Sequence, residues 1–383
     1  MHIHISQEQE QETFDPRYPH PNPSISFWLQ GTRSSPLLGF RSKNFPESAD
    51  VVIIGSGLSG ASTAYFLLEG ENAPQNIVML EARDVCSGAT GRNGGHCKPD
   101  CYKDVAMNQS AGDVWLGALA EYIADGADVE GIVEWISDPE EAKKLSRCRH
   151  AHAVARIPAG SLWPFKLASG LLEICIKRHN LNLQTTTPVI AVRRPANSKH
   201  DSWIVETERG NIIAKKVVFA SNGFTATLLP EFKDKITPVR GQCCAIIPTK
   251  PFSGPDLLKE TYSFRWGAPL SYLDYMIQRP KDGTIILGGG RSQVTLESQI
   301  DQTDDSAKDP AVPYVGPVHG KPGLFINAGH SGYGTTSLEL PQEKDINFPV
   351  IIFRDGSYYD LFSGNRRFDE RGKLGGYRIT RMF

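Results

Sequence analysis

Residues 49–70, ADVVIIGSGLSGASTAYFLLEG, constrain the fold more than any other part of the chain. The run 49–55 is short, apolar and β-branched, without polar alternation, which predicts a parallel strand buried on both faces. Residues 58–70 place small or apolar side chains at Ala61, Ala64, Leu67 and Leu68, a helical spacing, with Gly70 as the expected C-cap. NIVMLEA, residues 76–82, predicts a second buried strand and completes a βαβ unit. Between strand and helix stand Gly55, Ser56, Gly57, Leu58, Ser59 and Gly60. Gly55 permits the tight turn, Gly57 admits a pyrophosphate to the backbone, and Gly60 lets the helix pack on the strand. The helix N-terminus adds N–H groups and the positive end of its dipole. Glu81 lies 21 residues beyond Gly60, where an acid accepts hydrogen bonds from ribose hydroxyls. The ordered set of strand, glycine turn, helix and acid identifies a dinucleotide site. An acid at Glu81 disfavours NADP and leaves NAD and FAD open.

Further segments favour the longer of these ligands. VVFASNGF (217–224) and GLFINAGHSGYG (323–334) are apolar strands ending in turns. Three strand ends converging on one ligand suit FAD. Residues 87–97, SGATGRNGGHC, hold four glycines and no periodicity, so this stretch is expected to be neither helix nor strand and to approach another surface closely. The region 129–145 predicts two helices with a turn at Asp138-Pro139, the second capped by that aspartate, and residues 161–179 predict a helix with Leu167, Leu171 and Cys175 on its apolar face. Apolar or alternating runs between 183 and 290 predict a strand-rich portion, and DQTDDSAKD (301–309) a solvated loop.

The chain has 383 residues, more than one ordinary core organises, with 40% hydrophobic and 22% charged residues, as in globular proteins. The net charge of −2, without a basic block, gives nucleic acid no electrostatic footing. No apolar run approaches the roughly 18 residues of a membrane span. The first 23 residues are polar and proline-rich, unlike a secretory signal, and seven unevenly spaced cysteines argue for reduced thiols. An intracellular, cytoplasmic protein is expected.

These motifs together resemble FAD-dependent oxidoreductases of the D-amino-acid oxidase and glycine oxidase type, especially gamma-glutamylputrescine oxidase-like members. ADVVIIGSGLSGASTAYFL, the acid of LEAR, SGATGRNGGH, TTTPV, VVFASNGF, ITPVRGQ, MIQRP with IILGGGR, and PYVGPV with GLFINAGHSGYG carry the resemblance, in family order, over most of residues 25–335. It implies an α/β fold: a Rossmann-like FAD-binding domain with an inserted, mixed or antiparallel-sheet substrate domain. The expected organisation is an arm (1–48), FAD-binding segments (49–104, 165–235 and 310–340), substrate-domain segments (105–164 and 236–309) and a divergent tail (341–383). The resemblance further implies that Gly55–Gly60 hold the pyrophosphate and that Glu81 and Ala82 meet the adenosine. Thr90, Arg92, Asn93, Gly94 and Gly95 would run along the flavin, Val189 would face adenine with its backbone, and Ser221 would join the site. Gly332, Tyr333 and Gly334 would lie at the pyrimidine end of the ring. The implied chemistry is oxidation of a small amine or amino acid, hydride passing to flavin N5, with molecular oxygen or another electron acceptor reoxidising the cofactor. No strong base is required. Relative to the family pattern the chain reads as shortened after Lys103 and between GGGRSQV and DPAVPYVGPV, with an unrelated tail after GHSGYG.

Catalytic candidates are Arg291, His330 and Tyr275. Arg291, like Arg240, suits bidentate recognition of a carboxylate, Tyr275 and Tyr262 suit an amine pocket, and His330 or His319 suits an approach to the flavin. His96, Cys97 and Cys101 are three local ligands at irregular spacing, short of a structural zinc set, so no metal is expected. Covalent flavin attachment at His96 or Cys97 is a lesser alternative. Cys243 and Cys244 are expected as buried thiols, and Trp163 and Trp266 as core.

Overall fold

The computed structural model describes residues 18–20, 23–70, 72–97, 134–156, 159–195, 202–233, 235–239, 241, 243–266, 272–289, 306–308, 314–330, 351–354 and 357–360. Its main sheet begins with β1 (Ser48–Ile54), β2 (Ile77–Leu80), β3 (Asn182–Gln184), β4 (Val189–Arg193), β5 (Trp203–Thr207) and β6 (Gly210–Phe219). A second, four-stranded sheet follows, made of β7 (Cys243–Ile246), β8 (Thr261–Trp266), β9 (Tyr272–Gln278) and β10 (Ile285–Gly288). The chain then returns to the main sheet with β11 (Tyr314–Pro317) and β12 (Leu324–Ala328). The longer helices are α1 (Leu58–Glu69), α2 (Pro139–Ser146) and α3 (Pro164–His179), and single helical turns stand at Phe27–Gln30 and Thr225–Leu228.

Strand order in the main sheet is β11-β12-β6-β1-β2-β3. The pairs β12/β6, β6/β1, β1/β2 and β2/β3 are all parallel, and β11 closes the edge antiparallel to β12. The hairpin of β4 and β5 extends the sheet through the first half of β6. Burial on both faces follows from the sequence of β1: Val51 and Ile53 join α1 and α3 on one side, whereas Val52 and Ile54 pack with Val217, Phe219, Val205 and Phe232 on the other. From Val51 to Ile54 every position of β1 is apolar, a run that needs cover on both faces, and here it has it. The second sheet is antiparallel throughout, in the order β7-β10-β9-β8.

Several local expectations change. Glu134–Ile136 is a short strand paired with Val154–Arg156, although residues 129–137 read as helical. Trp135 and Ile136 satisfy helical and strand spacing equally well over so short a run. The second half of that reading stands: α2 starts at Pro139, and the Asp138 carboxylate accepts the Glu141 N–H at 2.8 Å. On α3 the buried face centres on Phe165, Ala168, Leu172 and Cys175, with Leu167 and Leu171 only partly covered. Gly70 follows α1 with φ −74° and ψ 156°, so its left-handed freedom is not used. Ser306–Lys308 pairs with Thr237–Val239 instead of lying in a loop. The 87–97 stretch contains a single tight turn at Ala89–Gly91, and His96–Cys97 bridges to Gly160–Ser161. Cys244 is exposed and Cys243 half-buried, on a β7 that is the edge strand of the second sheet. Trp266 is 38% exposed and donates from Nε1 to Asp274, which makes it a rim residue rather than core. Trp163 does pack against buried clusters.

Candidate cofactor site

The C-terminal ends of β1, β6 and β12 meet the N-terminus of α1, the crevice where open α/β sheets hold their ligands. Gly55 leaves β1 with φ +108°, and a Cβ there would stand 2.5 Å from the Ala220 carbonyl oxygen at the end of β6. A Cβ on Gly60 would lie 1.9 Å from the Gly55 oxygen, so the helix could not start where it does. The space above Gly57 is closed only by the Thr90 hydroxyl, 3.0 Å from such a Cβ. That hydroxyl accepts the Leu58 N–H at 2.8 Å. Among the described residues the N–H groups of Gly57 and Ser59 carry no backbone partner, as expected of a first helical turn.

Glu81 leaves β2 beside this turn. Its Oε2 accepts the Ser56 N–H at 2.9 Å and the Ser56 hydroxyl at 2.6 Å, and its Oε1 accepts the Arg83 N–H at 3.0 Å. An ionised carboxylate offers about four acceptor positions, so capacity is left for a ribose hydroxyl. Thr187 donates its N–H to the Glu81 carbonyl at 2.8 Å, which brings Val189 to the same strand end next to Ala82. Ser221, on the opposite flank, has its N–H 3.5 Å from the position of a Gly55 Cβ, and its hydroxyl pairs with that of Thr225 at 3.0 Å. The glycine cradle, the open N–H groups and the acid fit a ligand with a pyrophosphate and a ribose.

The 87–97 stretch runs from this cradle to the second sheet and is held by the segment preceding β1. Trp28 donates from Nε1 to the Asn93 carbonyl at 2.6 Å, and the Ser26 hydroxyl donates to the Gly91 carbonyl. Arg92 donates to the Ser87 carbonyl at 2.9 Å and to the Ser24 carbonyl, so its guanidinium faces the arm. Asn93 receives the Gly95 N–H at 2.8 Å and donates to the carbonyls of Ala89 and Thr90. Gly94 is closed by Tyr275, whose ring would lie 2.6 Å from a Cβ. The same ring abuts Gly288 on β10, and its hydroxyl lies 3.4 Å from the Cys243 sulfur. His96 meets Tyr275 edge-to-face at 5.2 Å and bonds through Nδ1 to the Thr261 hydroxyl. Two loop residues and the four strands of the second sheet thus form one wall, in which Tyr275 takes part and Tyr262 is half-buried with its phenol pKa raised by desolvation.

His330 follows β12 and is fully enclosed. Its Nε2 lies 2.9 Å from Asn327 Oδ1 and 3.1 Å from the Ser59 hydroxyl. Asn222 Oδ1 accepts the N–H groups of Gly329 and His330 at 3.0 and 3.2 Å. Burial pushes the imidazole pKa down to about 4, so the ring is neutral. His319 is exposed, in the turn before β12, at the opposite end of that strand from the crevice. Arg240, Arg291, Gly332, Tyr333 and Gly334 lie outside the described residues. Asn222, Asn327, Thr63 and Trp28 were not singled out from the sequence. Each lies within a segment the sequence marks, Thr63 in the glycine-turn helix, Asn222 in the ASNGF turn, Asn327 in GLFINAG and Trp28 in the SFWLQ island, but none carries a local pattern of its own.

Comparison with known proteins agrees with this geometry. The family model described as FAD dependent oxidoreductase matches residues 50–128 and 105–311. Two uncharacterized lipoproteins of Staphylococcus aureus, strains MSSA476 and MW2, are each 25% identical over 194 residues, 49% of this chain. The chain spans 65% of the length of these curated relatives. Glycine oxidase from Geobacillus kaustophilus superposes with a TM-score of 0.57 at 17% identity, covering 76% of this chain and 91% of that one. L-proline dehydrogenase from P. horikoshii gives 0.55 at 19% identity, with 76% and 90% covered. L-alpha-glycerophosphate oxidase from Mycoplasma pneumoniae, solved with FAD bound, gives 0.54 at 17% identity, with 76% and 92% covered. At such identities the superpositions speak for the fold, an FAD-binding α/β architecture with a mixed sheet. With the family model spanning more than half of its residues, the chain belongs to the FAD-dependent oxidoreductase family, and its cofactor is FAD.

Proposed function

We propose that this chain oxidises a small amine or amino acid, with molecular oxygen as the electron acceptor. The observation that carries the reading is the crevice at the ends of β1, β6 and β12, built from Gly55, Gly57, Gly60, Glu81 and Ser221 and continued by the 87–97 stretch to Tyr275. Bound FAD supplies the hydride acceptor, N5 of its ring. The chain's residues position and enclose. Gly55–Gly60 and the first turn of α1 hold the pyrophosphate, Glu81 with Ala82 takes the ribose, and Val189 offers backbone to adenine. Thr90, Asn93, Gly94 and Gly95 line the flavin, joined by Arg92 through its backbone because its guanidinium is turned to the arm, and the wall of His96 and Tyr275 keeps water from the reacting carbon. Arg291 is the candidate for a substrate carboxylate, and Gly332, Tyr333 and Gly334 for the pyrimidine end. A neutral amine needs no strong base, and the side chains that His96 and Tyr275 bring together on that wall are an imidazole, a phenol and the Cys243 thiol.

The finer placement near gamma-glutamylputrescine oxidase rests on the order of the sequence motifs, as does the reading of two shortened segments. The partners proposed are a small-molecule substrate and an acceptor, without nucleic acid or membrane. A cytoplasmic setting is in keeping with the cysteine usage, and among the described residues no helix is long and apolar enough to cross a membrane. The unfamiliar sequence after GHSGYG favours one second reading, a family chain that holds FAD weakly and lacks catalysis. The absorbance spectrum separates the two. A yellow preparation that bleaches anaerobically with an amine and releases peroxide in air supports the enzyme. A colourless protein that FAD does not reconstitute rejects it.

A further inference from the structure

The buried chain around His330 fixes where its proton sits. Thr63 donates its hydroxyl to the Ser59 carbonyl at 2.8 Å, so its oxygen can only accept from Asn327 Nδ2 at 3.3 Å. That contact orients the Asn327 amide and turns Oδ1 toward His330 Nε2 at 2.9 Å. An amide oxygen has no proton to give, so Nε2 carries the hydrogen and donates. Two groups are then left over. His330 Nδ1 is a bare acceptor, buried and without a partner among the described residues. The Ser59 hydroxyl, facing a nitrogen that already bears a proton, has its own proton to give elsewhere. A buried acceptor in a neutral ring costs free energy unless a donor meets it.

We propose that His330 Nδ1 accepts a hydrogen bond from a hydroxyl of the ribityl chain of FAD, in the tautomer set by Asn327 and Thr63. The inference rests on the FAD-site reading above and adds a residue to it. Position selects this hydroxyl among the donors of FAD. Glu81 lies on the β2 side of the glycine turn and takes the adenosine ribose, whereas His330 lies on the β12 side. Ser59 belongs to the first turn of α1, where the pyrophosphate is held. The sugar alcohol next to the pyrophosphate, on the side away from Glu81, is the ribityl chain. His330 is thus a cofactor-binding residue that tethers the flavin half of FAD.

ADP, which has the adenosine and pyrophosphate but no ribityl group, provides the comparison. His330→Gln keeps a polar atom near Nε2 and removes the Nδ1 acceptor. Its dissociation constant for FAD should rise about three- to tenfold, with that for ADP unchanged. His330→Asn, which keeps an oxygen near Nδ1, should retain more FAD affinity than His330→Gln. Equal losses for FAD and ADP would mean that His330 merely supports the pyrophosphate turn, and unchanged FAD affinity would remove it from the site; either overturns the inference. Wild-type protein that binds ADP but not FAD overturns it too. Binding of neither ligand instead defeats the cofactor-site reading itself. Should the variants not fold, ¹⁵N spectra of the wild-type imidazole decide. Nε2 should read as protonated with and without FAD, and the Nδ1 resonance should move upfield when FAD binds. A stationary Nδ1 resonance is the contrary result.

Discussion

Gly60 and Gly170 both stand within helices, and their surroundings differ sharply. Gly60→Ala drives a Cβ to 1.9 Å from a backbone oxygen of the cradle, which no side-chain motion relieves. Gly170 sits inside α3 with nothing within 4 Å of its would-be Cβ. Gly60→Ala should therefore lower stability by about 1–3 kcal/mol and abolish flavin retention, as overpacking does elsewhere. Gly170→Ala should raise stability by about 0.5–1 kcal/mol and leave flavin untouched. Denaturant melts and the visible spectrum check both. His330 makes a pH prediction of definite sign. Its pKa falls from 6.5 to about 4 on folding because burial disfavours the charged ring. The unfolded chain then binds the proton more readily between those values, so stability is complete above pH 6.5 and is lost as the pH falls toward 4. The loss approaches roughly 3 kcal/mol. His330→Gln should flatten that portion of the stability profile, and an unaltered slope would place its origin in other groups.

The elements were legible in the sequence to the extent that local pattern decides them. β1, α1 and β2 follow directly from an unbroken apolar run, a glycine turn and a helical spacing, and α2 from Asp138 with Pro139. The 134–136 segment was misread because three residues cannot distinguish a period of two from one of 3.6. The exposure of Cys244 and Trp266 depends on what covers a sheet edge, which local pattern does not encode. The arm shows the same limit. SFWLQ reads as an apolar island in a polar segment, yet Trp28 is 3% exposed and clasps the Asn93 carbonyl. Around it, Arg279 stands 5.0 Å from the Phe27 ring, 5.5 Å from Trp28 and 4.9 Å from Trp163, pinning arm, helix start and second sheet together. Trp28→Ala should cost about 3–5 kcal/mol and free the 87–97 stretch. Trypsin should then cut after Arg92 in the variant under conditions that spare the wild type. Resistance at that bond would show that the loop holds without the arm.

At the scale of the molecule the two sheets are unequal partners. The main sheet lies between two extensive apolar layers, one of them with α1 and α3. Among the described residues the second sheet shares a small cluster, Trp28, Ile277 and Ile286, with Phe27 and Trp163 beside it. Apolar burial supplies most of the stability of a sheet, so the second is the one expected to open at lower free energy. What ties it to the first is the 87–97 stretch, whose Gly94 meets Tyr275 and whose Thr90 closes the glycine cradle. A ligand held by that cradle acts on the second sheet through this stretch, beside the separate clasp that Arg279 makes with Phe27, Trp28 and Trp163. In the apoprotein, amides of β8 and β9 should exchange with solvent faster than those of β1 and β6. Free FAD at about one hundred times its dissociation constant should add roughly 2.7 kcal/mol to global stability. Because the loop must be ordered for the flavin to bind along it, protection should rise in β9 and β10 as well as in β1 and α1. Hydrogen-exchange mass spectrometry reads the two sheets separately. Protection that rises only around Gly55–Gly60 would mean that the 87–97 stretch does not carry the coupling, and the flavin half of the site would have to be sought away from Tyr275.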